Sequence, residues 1–203
     1  MTSIRLCIGD LPKDNLFTKS VAVDTETTGL NPLRDRLCLV QLADDKGHCY
    51  LVKIVDGIEP VRLKKVLSDK KILKIFHFAR FDVMMIKKEL GIVCQPVYCT
   101  KIAHKLVRTN VNSHSLKTLC SLYLNVELDK EETCSDWAAE KLTPQQKKYA
   151  ANDVLYLHKL KTILDQYLKR EKRADLAQAC FDFLPTRAAL DLLGFDRPDI
   201  FEH

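Results

Sequence analysis

The sequence lacks the long apolar run that a membrane span requires. Apolar stretches such as residues 81–86, which already contain Asp82, are far shorter than the roughly 20 residues that cross a bilayer. The first ten residues carry Arg5 and Asp10 and contain no apolar segment of the kind found in secretory signals. We therefore expect a cytoplasmic protein without a membrane partner.

The cysteines lack the spacings of a metal site. None of the eight forms a Cys-x-x-Cys pair, and no histidine stands at zinc-finger spacing from one. Thiols of a protein that is not exported stay reduced. We expect free thiols, rather than zinc ligands, at Cys7, Cys38, Cys49, Cys94, Cys99, Cys120, Cys134 and Cys180.

Repeats, low-complexity tracts and Pro/Ser-rich linkers are also missing, which favours one domain over residues 1–203. With 203 residues, of which 46% are hydrophobic and 29% are charged, the chain can bury a core of ordinary size. The net charge of +5 suits a polyanionic ligand without identifying one. We expect a core over about residues 20–170 and a helical tail over about residues 171–203.

Strand patterns come first in the chain and helical patterns follow. The β-like runs at residues 21–25, 37–42 and 49–52 are separated by turn-rich segments whose lengths suit antiparallel neighbours. A helical segment over residues 61–67 leads to a fourth apolar run over residues 72–76. This order predicts an α/β domain with a mixed sheet.

Two later helices have clear boundaries. Gly91 ends a predicted helix over residues 79–90, and a short extended piece follows at residues 97–99. Thr143 begins another helix, because Pro follows it directly and Gln146 stands three positions after it. We predict that this helix continues toward Arg170.

Two acids end the first predicted strand. Asp24 and Glu26 are spaced i, i+2, so their carboxylates leave the same face of the strand. Two like charges held this close repel each other unless a cation lies between them. The alternative is an exposed strand end that runs into a turn, and the pair alone leaves both interpretations open.

Two more acids stand on apolar helix faces. Asp82 and Asp153 each have apolar residues three or four positions away on their predicted helices. A carboxylate buried without a partner costs several kcal/mol. For Asp82 the alternative is pairing with Arg80 or a nearby lysine. Tyr149 stands one turn before Asp153, which places a phenol beside this carboxylate. Taken alone, this pair is either a helix-surface hydrogen bond or part of a catalytic unit.

Together these residues resemble the three motifs of the DEDD exonuclease superfamily. The motifs are Asp-Thr-Glu at residues 24–26, His-Phe-Ala-Arg-Phe-Asp at 77–82 and Tyr-Ala-Ala-Asn-Asp at 149–153, in that order. The last is similar to the tyrosine subclass, because the histidine subclass would have His where this chain has Lys148. Further segments similar to ribonuclease D lie at residues 135–137 and 154–157.

That resemblance implies a ribonuclease H-like fold, in which α-helices flank a mixed β-sheet and a helical tail follows. It implies a 3′-5′ exonuclease with two divalent cations, Mg²⁺ or Mn²⁺, held by Asp24, Glu26, Asp82 and Asp153. In the implied mechanism Asp24 bridges both ions and Tyr149 orients the attacking water, so the catalytic residues are these four acids and Tyr149. The implied products are 5′-mononucleotides.

We predict a set of candidate substrate contacts, of which Leu30 stands where related exonucleases place an apolar side chain against the terminal bases. They are Thr25, Thr27, Leu30, His77, Arg80 and His114. Leu30 is either an apolar wedge against the terminal bases or a loop residue that returns to the core. His77 and His114 contact phosphate or sugar, or else they are hydrogen-bonded structural histidines. Trp137 is either a core anchor or a base-stacking platform.

The C-terminal residues are similar to the nano-RNase C branch of this family. The matching segments are residues 180–187 and 199–203, and the helical HRDC domains of full-length ribonuclease D have no counterpart in this sequence. The similarity implies a homo-octameric ring that acts on short single-stranded RNA, especially dinucleotides. Two alternatives stay open: an exonuclease acting mainly on DNA or on longer structured RNA 3′ ends, and a catalytically silent nucleic-acid-binding scaffold.

Overall fold

A six-stranded mixed sheet forms the centre of the protein. The computed structural model describes residues 3–14, 17–128, 135–196 and 198–201, so Cys134, Glu202 and His203 lie outside the described residues. The strands are β1 (Ser3–Ile8), β2 (Ser20–Thr27), β3 (Leu37–Ala43), β4 (His48–Lys53), β5 (Leu73–Phe76) and β6 (Val97–Cys99).

The strand order is β1-β4-β3-β2-β5-β6. The three central strands β4, β3 and β2 are antiparallel neighbours, as their short connections predict. On either side the pairing is parallel, with β1 beside β4 and with β5 and β6 beyond β2. Every residue of β3 is buried, so the middle of the sheet lies in the core.

Helices cover the sheet and continue into the tail. Among the described residues they are α1 (Val61–Ser68), α2 (Ala79–Leu90), α3 (Thr100–Val107), α4 (Leu116–Leu124), α5 (Pro144–Leu155), α6 (Leu157–Arg170) and α7 (Ala174–Leu192). The predicted mixed α/β architecture and the helical tail are therefore confirmed. None of these helices is long and apolar enough to span a membrane.

Local chemistry sets the ends of two helices that carry motif residues. Gly91 takes a left-handed conformation with φ 67° and ends α2 where the sequence predicts. At the start of α5, the Thr143 hydroxyl accepts from the Gln146 amide and the Gln146 side chain accepts from the Thr143 amide. This capping box confirms the predicted N-terminus of α5.

The prediction of one continuous helix toward Arg170 is wrong. The helix breaks at Tyr156, whose backbone N–H donates to the carbonyl of Val154 instead of bonding four residues back. Two helices, α5 and α6, therefore occupy the predicted span. Tyr149 and Asp153 lie on the shorter of the two, α5.

The edge strand β1 is an element that the sequence pattern does not indicate. Four of its six residues are exposed, so the strand shows no readable alternation of apolar and polar positions. It forms by parallel pairing with β4, in a register that joins Ser3 to His48 and Ile8 to Lys53. The sheet thus begins before residue 20, where the predicted core starts.

Candidate active site

The three motifs meet at one end of the sheet. Asp24 and Glu26 lie near the carboxyl end of β2, which runs parallel to β5. Because β5 leads almost directly into α2, the first turn of that helix, with Asp82, comes to the same end. Helix α5 packs against β2, β3 and β4 and brings Asp153 to the pair on β2.

Three of the four acids form a tight group. Ligand oxygens of Asp24, Glu26 and Asp153 all lie within 4.8 Å of one another. Asp82 stands near this group, since its charge acts on the carboxyl groups of Asp24 and Glu26. Asp82 is only 5% exposed. The structure thus brings together all four acids that the sequence predicts as metal ligands.

Burial raises the pKa values of all four carboxyl groups. The pKa of Asp24 lies well above its usual value, because of burial first and then the charges of Asp82, Asp153 and Glu26. Burial and the charges of Asp153 and Asp82 raise the pKa of Glu26 to about 9. For Asp82 and Asp153 the pKa rises to about 7, chiefly through burial. In each of the four groups burial is the largest cause of the shift, and it disfavours the charged form of the carboxyl group.

A hard divalent cation fits this donor set. Carboxylate oxygens are the ligands that Mg²⁺ and Mn²⁺ prefer, and a cation among them would remove the repulsion that raises their pKa values. The described cysteines, by contrast, are free thiols outside the acidic group. The chemistry of the site is that of oxygen ligands.

Thr25 holds Asp82 in place. Its hydroxyl donates to Oδ1 of Asp82 at 2.6 Å, in a buried bond between β2 and the first turn of α2. Arg80, the alternative partner of Asp82, forms its ion pair with Asp191 instead. The hydroxyl of Thr25, a predicted substrate contact, therefore donates its hydrogen bond to one of the four acids.

Arg80 forms an ion pair with the C-terminal helix. Its Nε and Nη2 donate to the two carboxylate oxygens of Asp191 at 2.7 and 2.8 Å. Asp191 also accepts from Arg187, which is itself buried and pairs with Asp199 at 2.6 Å. This network fastens α7 and the residues after it to α2, two positions from Asp82.

Gln41 is a site residue that the motifs do not include. It lies on β3, directly opposite Asp24 in the antiparallel ladder. Its Nε2 lies 3.5 Å from Oδ2 of Asp24 and 3.3 Å from Oε1 of Glu26. A sequence signal exists, because Gln41 is a polar residue within an otherwise apolar strand.

Tyr149 stands beside Asp153 on α5, as the spacing predicts. Its ring lies against Trp137, with the ring centroids 6.1 Å apart. Trp137 is 4% exposed, which confirms the core anchor and excludes an open stacking platform. The indole thus supports the face of α5 that carries the phenol.

Leu30 and Thr27 lie on the turn that follows β2. Leu30 is 82% exposed, so it does not return to the core. Together with Leu33, Phe78 and Arg80 it lines a groove of about 490 Å³. The hydroxyl of Thr27 donates to the carbonyl of Gly29 at 2.6 Å, within the turn itself.

Both predicted substrate histidines have partners within the protein. His77 Nδ1 lies 2.9 Å from the hydroxyl of Thr100, and burial, helped by the charge of Lys101, lowers the pKa of His77 to about 3. His114 Nδ1 lies 2.7 Å from Nδ1 of His104. These contacts are those of hydrogen-bonded structural histidines.

Comparison with known proteins gives a consistent picture. The sequence profile of the 3′-5′ exonuclease family matches residues 10–169. Among solved structures, NrnC of Brucella melitensis superposes with a TM-score of 0.95 at 50% sequence identity, over 99% of this chain and 98% of that one. Structures of that protein with bound Mg²⁺ and bound to pGG superpose with TM-scores of 0.94 and 0.95.

Curated relatives are longer proteins. Ribonuclease D of Nitrobacter hamburgensis is 29% identical over 177 residues, which are 83% of this chain. DNA polymerase I of Aquifex aeolicus is 36% identical over 140 residues, or 68% of this chain. The matched regions are 46% of that ribonuclease D and 22% of that polymerase, so the chain spans less than half the length of either.

Proposed function

The chain belongs to the 3′-5′ exonuclease family, and we propose that it is a metal-dependent 3′-5′ exoribonuclease that releases 5′-mononucleotides from short RNA. The observation that carries the proposal is the group of Asp24, Glu26 and Asp153, with ligand oxygens within 4.8 Å and Asp82 beside them. A protein that only bound nucleic acid would gain nothing from four carboxylates this close together, because they repel phosphate.

Each residue of the site has a role in this proposal. The four carboxylates would supply the oxygen ligands for two divalent cations, Mg²⁺ or Mn²⁺. When bound, the cations would lower the pKa of a water molecule and neutralise charge on the scissile phosphate. Tyr149, one turn from Asp153, orients the attacking water through its hydroxyl. Thr25 holds Asp82 in its place.

Short RNA, with dinucleotides as preferred substrates, is the proposed substrate class. The support is the 50% identity to Brucella melitensis NrnC, a protein whose structure has been solved bound to pGG. On the turn after β2, we expect the exposed Leu30 to contact the terminal bases, beside the groove of about 490 Å³ that it lines. Thr25, Thr27, His77, Arg80 and His114 remain predicted contacts, although each already has a partner in the protein.

An exonuclease that acts mainly on DNA is the second candidate. The observation that favours it is the 36% identity to DNA polymerase I of Aquifex aeolicus. The four carboxylates act on the phosphate and do not read the sugar, so they are compatible with either substrate. Discrimination requires a contact to the 2′-hydroxyl.

We also propose that the protein is a homo-oligomer, with the octameric ring of nano-RNase C as the expected form. The residues after α7 support an interface, because they expose large apolar side chains. These are Leu193 (74% exposed), Phe195 (45%), Ile200 (48%) and Phe201 (67%). Light scattering at micromolar concentration tests the proposed oligomer separately from the activity. A stable monomer would contradict the ring and leave the proposed exonuclease activity unchanged.

The experiment for the activity uses labelled RNAs of two to seven nucleotides and matched DNAs, with products resolved on gels. We expect mononucleotides from the 3′ end in Mg²⁺, no product in EDTA, and the highest rate with the RNA dinucleotide. Asp24→Asn should abolish release, whereas Asp182→Asn, at an exposed position on α7, should not. Binding of the oligonucleotides in Mg²⁺ without any release would favour the scaffold and overturn the enzyme.

A further inference from the structure

Gln41 occupies a position where its chemistry needs an explanation. It is completely buried in β3, and the other six residues of that strand are apolar. A polar side chain at such a position is costly unless its hydrogen bonds are made. The surroundings of its amide therefore indicate what the residue does.

The nitrogen of the amide faces the acids. Direct partners in an antiparallel ladder extend their side chains on the same face of the sheet, and Gln41 is the direct partner of Asp24. Its Nε2 carries two hydrogens, and one acceptor from each acid lies near it: Asp24 Oδ2 at 3.5 Å and Glu26 Oε1 at 3.3 Å. One neutral group thus spans both carboxylates of β2.

The oxygen of the same amide makes no hydrogen bond. Gln41 Oε1 is buried and has no partner among the described residues. A role in stability alone would favour an apolar side chain of the same size, which leaves no acceptor unpaired. The position is therefore better explained by the N–H groups that face Asp24 and Glu26.

We propose that Gln41 is a positioning residue, which orients the carboxylates of Asp24 and Glu26 for a divalent cation. A lysine at this place would bring its own positive charge into the acidic group, whereas an amide donates hydrogen bonds and leaves the negative charge available. Partners that orient metal ligands contribute about 10–100-fold to metal affinity. The inference rests on the proposed function only in taking these acids as metal ligands.

Gln41→Met tests the proposal, because it keeps the length of the side chain and removes both N–H donors. Mn²⁺ binding is measured by calorimetry on the purified full chain after EDTA treatment, together with kcat and KM for an RNA dinucleotide. We expect Mn²⁺ affinity to fall about 10–100-fold. We also expect kcat to recover toward the wild-type value when Mn²⁺ is raised, with KM for RNA little changed at saturating Mn²⁺.

Leu39→Met is the matched control. Leu39 lies two positions away on β3, is equally buried, and stands opposite Glu26 in the ladder, but it offers no donor. Its substitution should leave Mn²⁺ affinity within about twofold. If Gln41→Met binds Mn²⁺ as tightly as the wild type, or no more weakly than Leu39→Met does, the proposal is overturned.

A second variant covers the case in which Gln41→Met does not fold. Gln41→Asn is smaller and draws the amide back from contacts that are already long, so Mn²⁺ affinity should fall in the same direction. Loss of cooperative unfolding in both variants would assign Gln41 to folding and overturn the proposal. If wild type releases no mononucleotide but Mn²⁺ binding still depends on Gln41, the proposed activity fails and the positioning role stands.

Discussion

The hydroxyl of Thr25 donates to Oδ1 of Asp82 at 2.6 Å, across 57 positions of sequence. Thr25 lies between the two acids of β2, and Asp82 lies in the first turn of α2. This bond therefore ties the carboxylate of the helix to the strand that carries two others. Asp82 is buried and lies near other negative charges. Loss of the Thr25 hydroxyl therefore leaves Oδ1 of Asp82 without its hydrogen-bond donor, and water does not replace that donor.

Thr25→Val keeps the branched shape of the side chain and removes this donor. We expect the free energy of unfolding, measured in urea at pH 8 with EDTA, to fall by about 1–3 kcal/mol. Thr162→Val is the control, because the Thr162 hydroxyl donates to the His158 carbonyl at an exposed position on α6. Its substitution should change stability by less than about 0.5 kcal/mol. Equal changes in the two variants would contradict the role given to Thr25.

Asp153→Asn should separate activity from stability. Removal of a proposed metal ligand is expected to lower the rate of mononucleotide release by orders of magnitude, as measured in single-turnover assays. In EDTA the variant should unfold at the same or a higher temperature, because one of the mutually repelling charges is gone. Asp165→Asn, which breaks a surface ion pair with Lys161, serves as the control with normal activity. Near-wild-type turnover in Asp153→Asn would contradict the assignment of Asp153 as a metal ligand.

Metal removal should make stability depend on pH. The folded pKa values of Glu26, Asp82 and Asp153 are raised to about 9, 7 and 7, whereas unfolded carboxyl groups titrate near 4. Between the unfolded and the folded pKa of each group, the folded state binds more protons than the unfolded state. In EDTA the free energy of unfolding therefore falls as pH rises, and each group stops contributing to this fall once its folded pKa is passed.

Added Mg²⁺ should offset that loss. We expect the difference in thermal midpoint between Mg²⁺ and EDTA to be larger at pH 8 than at pH 6, because more of the carboxyl groups are then ionised without a competing proton. Scanning calorimetry at the two pH values measures it. A difference that shrinks with rising pH would show that the acids do not bind the ion.

Asp191→Asn should weaken the attachment of the C-terminal helix. Asp191 accepts from both Arg80 and Arg187, and its side chain and that of Arg187 are 4% and 9% exposed. Loss of its charge removes one of the two carboxylate partners of the buried Arg187, which keeps Asp199, so we expect the free energy of unfolding to fall by about 1–3 kcal/mol. Urea unfolding measures the change, with Asp182→Asn as the control on the exposed face of α7. A cost below about 1 kcal/mol would mean that the network does not fasten α7 to α2.

Features that depend on neighbouring residues could be predicted from the sequence. The capping box at Thr143 and the left-handed Gly91 are local, and each helix boundary is set within one turn. The acids could be predicted because a carboxylate on an apolar face conflicts with helix periodicity. Asp82 and Asp153 both show this conflict, and the structure places both in the acidic group or beside it.

Features that depend on distant pairing could not be predicted. The edge strand β1 exists through its ladder with β4, and Arg80 finds Asp191 at a separation of 111 residues. The break at Tyr156 was hidden because apolar residues continue at helical spacing through it. Gln41 gave a signal, a polar residue in an apolar strand, but only the register with β2 shows what it faces.

The capping box of α5 sets more than the start of a helix. Thr143 and Gln146 exchange two bonds, at 2.9 and 3.1 Å, which fix the residue from which the helix is counted. Each further residue turns the side-chain direction by about 100°. The position of the cap therefore determines the direction in which every later side chain of α5 leaves the helix. Tyr149 and Asp153 lie at the positions whose side chains point toward β2. One residue inserted between Gln146 and Tyr149 would leave the helix intact and aim both side chains away from the metal ligands of the strand.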